Sequence, residues 1–198
     1  MKIGLRKRLR GARRAMSTAE HRRRSKLAAG AVLRLPMFAA GKKVALYLPF
    51  DRETDTATLL IAARRRGVQV FVPIVVDRRR GRMRFYPLVG KLRRGAFGIP
   101  VPQRMRNPLS PRWLDLIVVP LVGVDGSGRR LGMGGGFYDR ALSFRRHMRH
   151  KMGPHLVGLA FDVQRTCEPF AEPWDIRLDS VATESGLHRI TANAQGVS

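Results

Sequence analysis

A chain of 198 residues is long enough to bury a hydrophobic core and fits a single domain. No apolar stretch reaches the roughly 18–20 residues that a membrane span needs, and the basic N-terminus lacks the apolar segment of a secretory signal. Cys167 is the only cysteine, which excludes an intrachain disulfide and favours a reducing compartment. We therefore expect a cytoplasmic protein without a membrane partner.

The charge balance is strongly positive, because 39 Lys and Arg residues against 14 Asp and Glu residues give a formal net charge of +25. Such a charge attracts polyanions, including nucleic acids and phosphorylated or polycarboxylate small molecules. The arginines are spread through every segment, with short runs at residues 22–24, 64–66 and 78–80. This distribution favours a solvated basic surface that binds nucleic acid only non-specifically. A dedicated nucleic-acid-binding protein is the alternative function, although no helix-turn-helix, zinc-finger or RNA-recognition signature is present.

The first half of the chain predicts two helices followed by strands that alternate with a third helix. Ser17, with Glu20 three residues later, forms a capping box that opens the second helix. Gly67 is suited to end the third helix. The predicted elements are helices over residues 2–16, 17–33 and 55–66, and strands over residues 44–48, 68–73 and 83–88.

The second half contains a continuous apolar run at residues 116–122, which predicts a strand buried on both faces. A helix is predicted over residues 137–149, a strand over residues 155–161, and a last strand after Asp179. Strands separated by helices predict a mostly parallel, Rossmann-like sheet covered on both faces. We therefore expect a single three-layer α/β/α domain over residues 1–187 and a flexible tail over residues 188–198.

A loop with four glycines between residues 132 and 136 follows the buried strand. Without Cβ atoms the backbone can approach an anion closely and turn N–H groups toward it, and a helix N-terminus adds positive potential. Arg130 could pair with phosphate oxygens, and Asp139 could hold a hard cation. The loop is neither a Walker A loop nor the G-x-G-x-x-G of a dinucleotide site. It predicts a phosphate-binding loop, and the alternative is a connecting loop with turn glycines.

The segment RRLGMGGGFYDR, residues 129–140, resembles the signature R-L-G-x-G-x-G-Y-Y-D of 5-formyltetrahydrofolate cyclo-ligases, also called 5,10-methenyltetrahydrofolate synthetases. Phe137 stands at the first aromatic position of that pattern, and Val101 replaces an acidic residue of a second pattern. The shorter segments that resemble the family occur in the same order along the chain: KIGLR at residues 2–6, E-x-D-T from Glu53, FGIPVP at residues 97–102 and LDSVATE at residues 178–184. The resemblance covers nearly the whole chain, and the family fold agrees with the predicted one.

This resemblance implies an enzyme that converts 5-formyltetrahydrofolate to 5,10-methenyltetrahydrofolate while ATP becomes ADP and phosphate, with Mg²⁺ as the cofactor. Phosphorylation would turn the formyl oxygen into a good leaving group, and N10 of the folate could then close the ring. The expected partners are ATP and a reduced folate, including polyglutamylated forms, and the expected state is a monomer. The departures at Val101 and Phe137 keep a catalytically altered family member as a further alternative.

The resemblance also implies roles for individual residues. Arg130 and Asp139 are the expected catalytic residues, Leu48 and Glu53 are expected to bind the folate, and Asp139 with Asp179 is expected to hold Mg²⁺. ATP is expected to contact Lys2, Ile3, Gly4, Leu5, Arg6, Arg130, Leu131, Gly132, Met133, Gly134, Gly135, Gly136, Phe137 and Tyr138. The folate is also expected to contact Met133, Gly134, Gly135, Gly136 and Phe137.

Several of these residues have a purely structural alternative. Lys2 and Arg6 lie four positions apart, which also suits a basic surface helix. Glu53 also suits a carboxylate near a helix N-terminus, where the helix dipole favours negative charge. Asp179 also suits a carboxylate at the edge of a strand that is paired with an arginine.

Overall fold

The computed structural model describes residues 2–95, 100–147, 153–170, 172 and 174–190. Within these residues the helices are α1 (Lys2–Ala15), α2 (Thr18–Val32), α3 (Ala57–Arg66) and α4 (Phe137–Ala141). The strands are β1 (Lys43–Ala45), β2 (Gln69–Asp77), β3 (Arg82–Pro87), β4 (Leu92–Arg94), β5 (Pro100–Pro102), β6 (Leu116–Pro120), β7 (Gly123–Val124), β8 (Arg130–Leu131), β9 (His155–Leu159), β10 (Ser180–Thr183) and β11 (Gly186–Arg189). Short 3-10 helices occupy Pro111–Trp113, Ser143–His147 and Asp162–Gln164.

A seven-stranded sheet in the order β11-β10-β9-β6-β1-β2-β3 forms the centre of the fold. The pairings from β10 through β9, β6 and β1 to β2 are parallel, whereas β11 and β3 are antiparallel to their neighbours. The hairpins β4–β5 and β7–β8 lie outside this sheet. The predicted α/β fold with a mostly parallel sheet is confirmed, while both hairpins and β11 have no counterpart in the sequence prediction.

The sheet is covered on both faces because alternate residues of its strands point to opposite sides. On β6, Leu116 and Val118 pack in the apolar cluster that contains the buried residues of α2 and α3. Ile117 and Val119 belong to the cluster on the opposite face, with residues that follow α4. All four side chains are almost completely buried, as expected for the middle layer of a three-layer domain.

The helix ends test the local sequence signals. The capping signal at Ser17 is confirmed, since its side-chain oxygen accepts the Glu20 N–H at 3.1 Å. The prediction that the fourth helix extends to residue 149 is wrong, because α4 ends at Ala141 and a 3-10 helix follows. Leu142 and Phe144 are both buried in the same cluster, and residues two positions apart do not share a face of an α-helix. Residues 148–150 lie outside the described residues.

The last strand extends the ordered domain beyond the expected boundary. β11 includes His188 and Arg189, which the sequence analysis assigns to a flexible tail. The next residue, Ile190, donates its backbone N–H to Asp179 at 3.0 Å and packs against the apolar cluster that contains Val119. The domain therefore includes at least residue 190, and residues 191–198 lie outside the described residues.

Helix α1 packs beside the glycine-rich loop and not on the central sheet. Leu5 and Leu9 form a small buried cluster with Val122, Leu131 and Phe170. This contact fixes the helix next to β8, so that its first turns approach the loop that follows. None of the described helices is both long and apolar enough to cross a bilayer.

Two glycine substitutions test the packing. A methyl group at Gly158 in β9 would come within 2.6 Å of Leu178 Cδ1 and 2.8 Å of Leu121 Cδ2, both buried. We expect Gly158→Ala to lower the free energy of unfolding by about 1–3 kcal/mol through overpacking. The matched control Gly30→Ala adds a methyl group in open space within α2. It should raise the free energy of unfolding by about 0.5–1 kcal/mol. Urea unfolding followed by circular dichroism measures both, and equal changes would contradict the described packing.

Candidate active site

A cavity of about 600 Å³ opens at the carboxyl ends of β1 and β6. Leu48 follows β1 by three residues, and Leu121 comes directly after β6. In open α/β sheets, ligands bind at this edge because the connections to the helices leave a crevice there. Most of the remaining lining comes from α1, the loop after β1, the second half of β2, and the glycine-rich loop with α4.

The glycine-rich loop forms one wall of the cavity. Every residue from 130 to 139 lines it. Gly134 and Gly136 have φ angles of 102° and 61°, which residues with a Cβ rarely adopt. Arg6 of α1 supports the loop, since its Nε donates to the Gly132 carbonyl at 2.9 Å. These features leave the loop backbone accessible to a ligand and hold it in one conformation.

Arg130 is a buried cation, only 6% exposed, at the start of this loop. Its Nη2 donates to Asp139 Oδ1 at 2.7 Å, and its guanidinium lies 5.4 Å from the ring centroid of Tyr138. Asp139 Oδ1 also accepts the Ile176 N–H at 3.3 Å. Both charged side chains line the cavity and orient each other. The expected contribution of a helix dipole is small, because α4 has only 5 residues.

Two cations of α1 reach the same wall. Lys2 and Arg6 line the cavity, one helical turn apart, and Lys2 Nζ forms an ion pair of 2.9 Å with Glu172. The three residues between them do not line the cavity: Ile3 is 82% exposed and Leu5 is buried in the contact with β8. Of the expected ATP-binding residues in this segment, the structure therefore brings the two cations to the loop and leaves Ile3, Gly4 and Leu5 away from it.

Glu53 is the acidic residue at the opposite wall. Its Oε2 accepts the Phe50 N–H at 3.1 Å, and it lines the cavity together with Leu48. Burial raises the pKa of Glu53 to about 6, although the Phe50 N–H and the charge of Arg13 act in the opposite direction. The wall is otherwise apolar, with Val72 and Met83 from β2 and β3 among its residues.

Two tyrosines flank Glu53. Tyr47 donates its hydroxyl to the Thr54 carbonyl at 2.7 Å. Burial, and then the nearby charge of Glu53, raises the pKa of both Tyr47 and Tyr138 above the ordinary value. Both hydroxyls are therefore neutral at physiological pH, and Glu53 is the group between them that changes charge.

Asp179 lies on the side of the sheet opposite to the cavity, where the parallel strands begin. It directly precedes β10, so it is at the amino end of a parallel strand, whereas the cavity is at the carboxyl ends. Its Oδ1 accepts from Arg145 and its Oδ2 from the Leu156 N–H, both at 2.7 Å. The structure does not bring Asp179 together with Asp139, and its contacts match the alternative of a strand-edge carboxylate paired with an arginine.

The sequence of this chain is similar to those of proteins of known function. Residues 1–184 match the sequence model of the 5-formyltetrahydrofolate cyclo-ligase family. The chain belongs to this family. It is 35% identical over 180 residues to the 5-formyltetrahydrofolate cyclo-ligase of Escherichia coli strain K12, which covers 89% of this chain and 97% of that one. The predicted enzyme class, a cyclo-ligase of folate metabolism, is thereby confirmed.

Two solved cyclo-ligase structures have the same fold. The 5,10-methenyltetrahydrofolate synthetase of Aquifex aeolicus superposes with a TM-score of 0.80 at 31% identity and covers 100% of this chain and 96% of that one. The synthetase of Mycoplasma pneumoniae superposes with a TM-score of 0.72 at 25% identity and covers 92% of this chain and 98% of that one. The similarity therefore includes the whole domain and not the glycine-rich loop alone.

Within this cyclo-ligase fold, several cavity residues were not among the predicted site residues. Trp174 and Asp175 enter the lining from the segment before β10, and Val75 enters from β2. Strand alternation predicts which residues of a strand share a face, but it does not tell which face a ligand occupies. Val101, which replaces an acidic residue of the family pattern, lines the cavity. Residues 97–99 of the same segment lie outside the described residues.

The residues at the loop suit Mg²⁺ in a limited way. Among the described residues, no group of three or more His, Cys, Asp or Glu side chains could hold a metal ion. Mg²⁺ usually needs only one or two carboxylates when phosphate oxygens and waters complete its shell. Asp139 meets this requirement, because its Oδ1 accepts from Arg130 and Ile176 while no contact of Oδ2 within the described residues occupies that oxygen. It is therefore a candidate ligand beside the glycine-rich loop.

Proposed function

We propose that this protein converts 5-formyltetrahydrofolate to 5,10-methenyltetrahydrofolate with consumption of ATP and a requirement for Mg²⁺. The observation that carries the proposal is that one cavity joins a cation-backed glycine loop to an apolar wall with the half-buried carboxylate of Glu53. The first half suits a triphosphate, and the second suits a flat heterocycle with hydrogen-bond donors.

The triphosphate of ATP is the proposed ligand of the glycine-rich loop. Lys2, Arg6 and Arg130 bring three cationic side chains to this wall, of which Lys2 and Arg130 are also paired with the carboxylates of Glu172 and Asp139. The planar fork of Arg130 can donate to two phosphate oxygens at once. Asp139 is the proposed ligand of Mg²⁺, and the ion would neutralise charge on the transferred phosphoryl group. The protein thus acts by positioning and charge stabilisation.

The reduced folate is the proposed ligand of the opposite wall. A pterin ring carries ring N–H and amino donors, and an ionised Glu53 can accept from two of them. Leu48 and Val72 supply apolar surface for the ring faces. The basic surface of the protein suits the anionic glutamate tail of the substrate. This arrangement directs the formyl group toward the glycine-rich loop.

The proposed reaction has two steps. The formyl oxygen attacks the γ-phosphorus of ATP, its bond to phosphorus forms, and ADP departs. N10 then attacks the formyl carbon, the carbon–oxygen bond breaks, inorganic phosphate departs, and N10 releases its proton to solvent. Closing the ring within one bound molecule needs no second encounter, so the main task of the site is to hold both substrates with water excluded from the phosphoryl group.

Substitutions at the loop test the assignment of ATP. We expect Arg130→Ala and Asp139→Ala each to lower kcat/KM for ATP by roughly 10²–10³-fold, because the first removes a cation directed at the phosphates and the second removes the proposed ligand of Mg²⁺. Methenyl formation, followed by absorbance, measures this, and the ATP-dependent rise in Tm measures binding separately. Arg129→Ala is the matched control, since this neighbouring arginine is exposed and outside the cavity lining. Full activity in either loop variant would refute the role given to that residue.

The pH dependence tests the role of Glu53. Because the pKa of Glu53 is raised to about 6, its carboxylate becomes protonated below that pH. The protonated oxygen can then no longer accept a hydrogen bond from the folate. At saturating ATP, kcat/KM for the folate should be level above about pH 7 and fall about tenfold per unit well below pH 6. Glu53→Gln should remove this pH dependence and lower the plateau by roughly 10- to 150-fold, since hydrogen bonds to charged groups contribute about 1.5–3 kcal/mol. Glu168→Gln, outside the cavity lining, should keep the wild-type profile, and a profile unchanged by Glu53→Gln would contradict this role.

The basic surface is proposed to bind nucleic acid only non-specifically. Arg22, Arg23 and Arg79 are exposed and lie outside the cavity lining. Replacing all three with Gln should weaken binding to a random DNA duplex and reduce its salt dependence, while methenyl formation stays close to the wild-type rate. Sequence-selective binding at physiological salt, in a protein without methenyl formation, would favour the nucleic-acid-binding alternative.

A further inference from the structure

Three arginines of α1 converge on one carboxylate in the loop that carries Glu53. Arg10 Nε donates to Asp51 Oδ2 at 2.9 Å, and Arg14 Nε donates to Asp51 Oδ1 at 2.7 Å. The Asp51 side chain is only 7% exposed. Burial acts to raise the pKa of Asp51, but the hydrogen bonds from Arg14 and Arg10 outweigh it and lower the pKa. Asp51 is therefore ionised at neutral pH.

The third arginine, Arg13, differs from the other two because it is buried, with 1% of its surface exposed. Its Nη2 donates to the Asp51 backbone carbonyl at 2.6 Å and to Asp51 Oδ2 at 3.2 Å. Its Nη1 lies 3.5 Å from the carbonyl oxygen of Leu121, which lines the cavity. Arg13 thus fixes the backbone of the Glu53 loop relative to the end of β6.

The loop needs such support because its backbone is strained. Asp51 and Arg52 have φ angles of 53° and 56°, in the left-handed region that residues with a Cβ avoid. Arg52 Nη2 donates to the Met16 carbonyl at 2.6 Å. His21 Nε2 lies 3.1 Å from the carbonyl oxygens of both Arg52 and Glu53, so it is the donor to them. The segment that joins α1 to α2 and the first turns of α2 therefore hold the same loop from the other side.

Stability alone does not account for a buried arginine at this position. Desolvation offsets much of the attraction in a buried ion pair, and Arg13 Nε has no hydrogen-bond partner among the described residues. Asp51 already pairs with Arg10 and Arg14, which are both more exposed than Arg13. Arg13 differs from Arg10 and Arg14 in contacting the Asp51 backbone carbonyl, two residues before Glu53, as well as the Leu121 carbonyl. The first of these contacts fixes the backbone close to the residue that carries the Glu53 carboxylate.

We propose that Arg13 is a positioning residue for the reduced-folate site, acting through Asp51 to hold the Glu53 carboxylate at the cavity wall. This inference rests on the proposed function, because it deepens the role of Glu53 in folate binding. Arg13 does not line the cavity, so it touches neither substrate. Its effect is therefore expected on the folate and not on ATP, whose cations lie at the opposite end of the helix.

The charges around Glu53 give this role a specific signature. The groups that act on its carboxyl are Asp51 in the same loop and Arg13 of α1, with neutral Tyr47 after β1 and Tyr138 of α4 beside it. The charge of Arg13 lowers the pKa of Glu53, whereas that of Asp51 raises it. At low pH, kcat/KM for the folate falls as Glu53 becomes protonated, and this part of the profile is its low-pH limb. Loss of Arg13 should move the low-pH limb to higher pH, and loss of the Asp51 charge should move it to lower pH.

The experiment compares Arg13→Met, Arg13→Lys and Asp51→Asn with the wild type and with the surface control Arg22→Met. At pH 8, Arg13→Met and Asp51→Asn should each raise KM for the folate roughly 10- to 100-fold, with KM for ATP unchanged. The low-pH limbs of these two variants should shift in opposite directions. Arg13→Lys keeps the charge without the fork, so it should keep the wild-type limb with an intermediate KM, and Arg22→Met should match the wild type.

A second measurement does not depend on activity. In protein labelled with ¹³C-glutamate, the carboxyl resonance that disappears in Glu53→Gln reports the pKa of Glu53, and circular dichroism verifies folding. An unchanged folate KM together with an unchanged Glu53 pKa in folded Arg13→Met would overturn the inference. If Arg13→Met does not fold, Asp51→Asn decides alone by the same two readouts. Absence of methenyl formation in the wild type, with the opposite pKa shifts present, would instead refute the proposed function and leave the positioning of Glu53 intact.

Discussion

Parallel pairing of β1 with both β2 and β6 is the constraint on which the site depends. Parallel strands end at the same edge of a sheet, so the chain leaves all three strands beside one another. The exit from β1 supplies Leu48 and Glu53, and the exit from β6 leads through the β7–β8 hairpin into the glycine-rich loop. Segments that are about 80 residues apart in sequence thus face each other across one cavity. Without this register the two halves of the site would not share a space.

Charge is distributed so that the carboxylate of Glu53 stays available. Most acidic residues that the structure describes pair with arginine or lysine, as Asp51, Asp139 and Asp179 do. Glu53 forms no salt bridge within 4.0 Å among the described residues, and burial raises its pKa to about 6. A carboxyl group with a raised pKa favours folding only while protonated, and this contribution is lost as the pH rises through 6. An ionised Glu53 therefore opposes folding at neutral pH, although arginines are abundant, and this cost is typical of a group kept for ligand binding.

Local signals predicted most of the fold. The capping box at Ser17 and the left-handed Gly67, with a φ angle of 67°, define helix ends through contacts within a few residues. The continuous apolar run at 116–122 gave the buried central strand. The failures have two causes. α4 stops where Leu142 and Phe144 pack in one cluster, which depends on tertiary packing. β11 forms a hairpin with β10 through the two residues Glu184 and Ser185, which are not one of the glycine-containing pairs that usually indicate such a turn.

The same distinction separates the two halves of the site. A glycine-rich loop can be detected from sequence because its own residues determine its conformation. Arg130 lies within that segment. The pairing of Arg13 with Asp51 spans 38 positions, and no spacing rule connects a basic helix to one acidic residue in a strained loop. In a chain with 39 basic residues, composition also cannot tell a buried arginine from a solvated one. The excess of arginine hides this pairing in the sequence. It also makes the burial of Arg13 informative, because a protein with so many exposed cations does not need to bury one for solubility or net charge. The burial of Arg13 therefore requires a local cause, and the nearest one is the position of the carboxylate two residues beyond its partner.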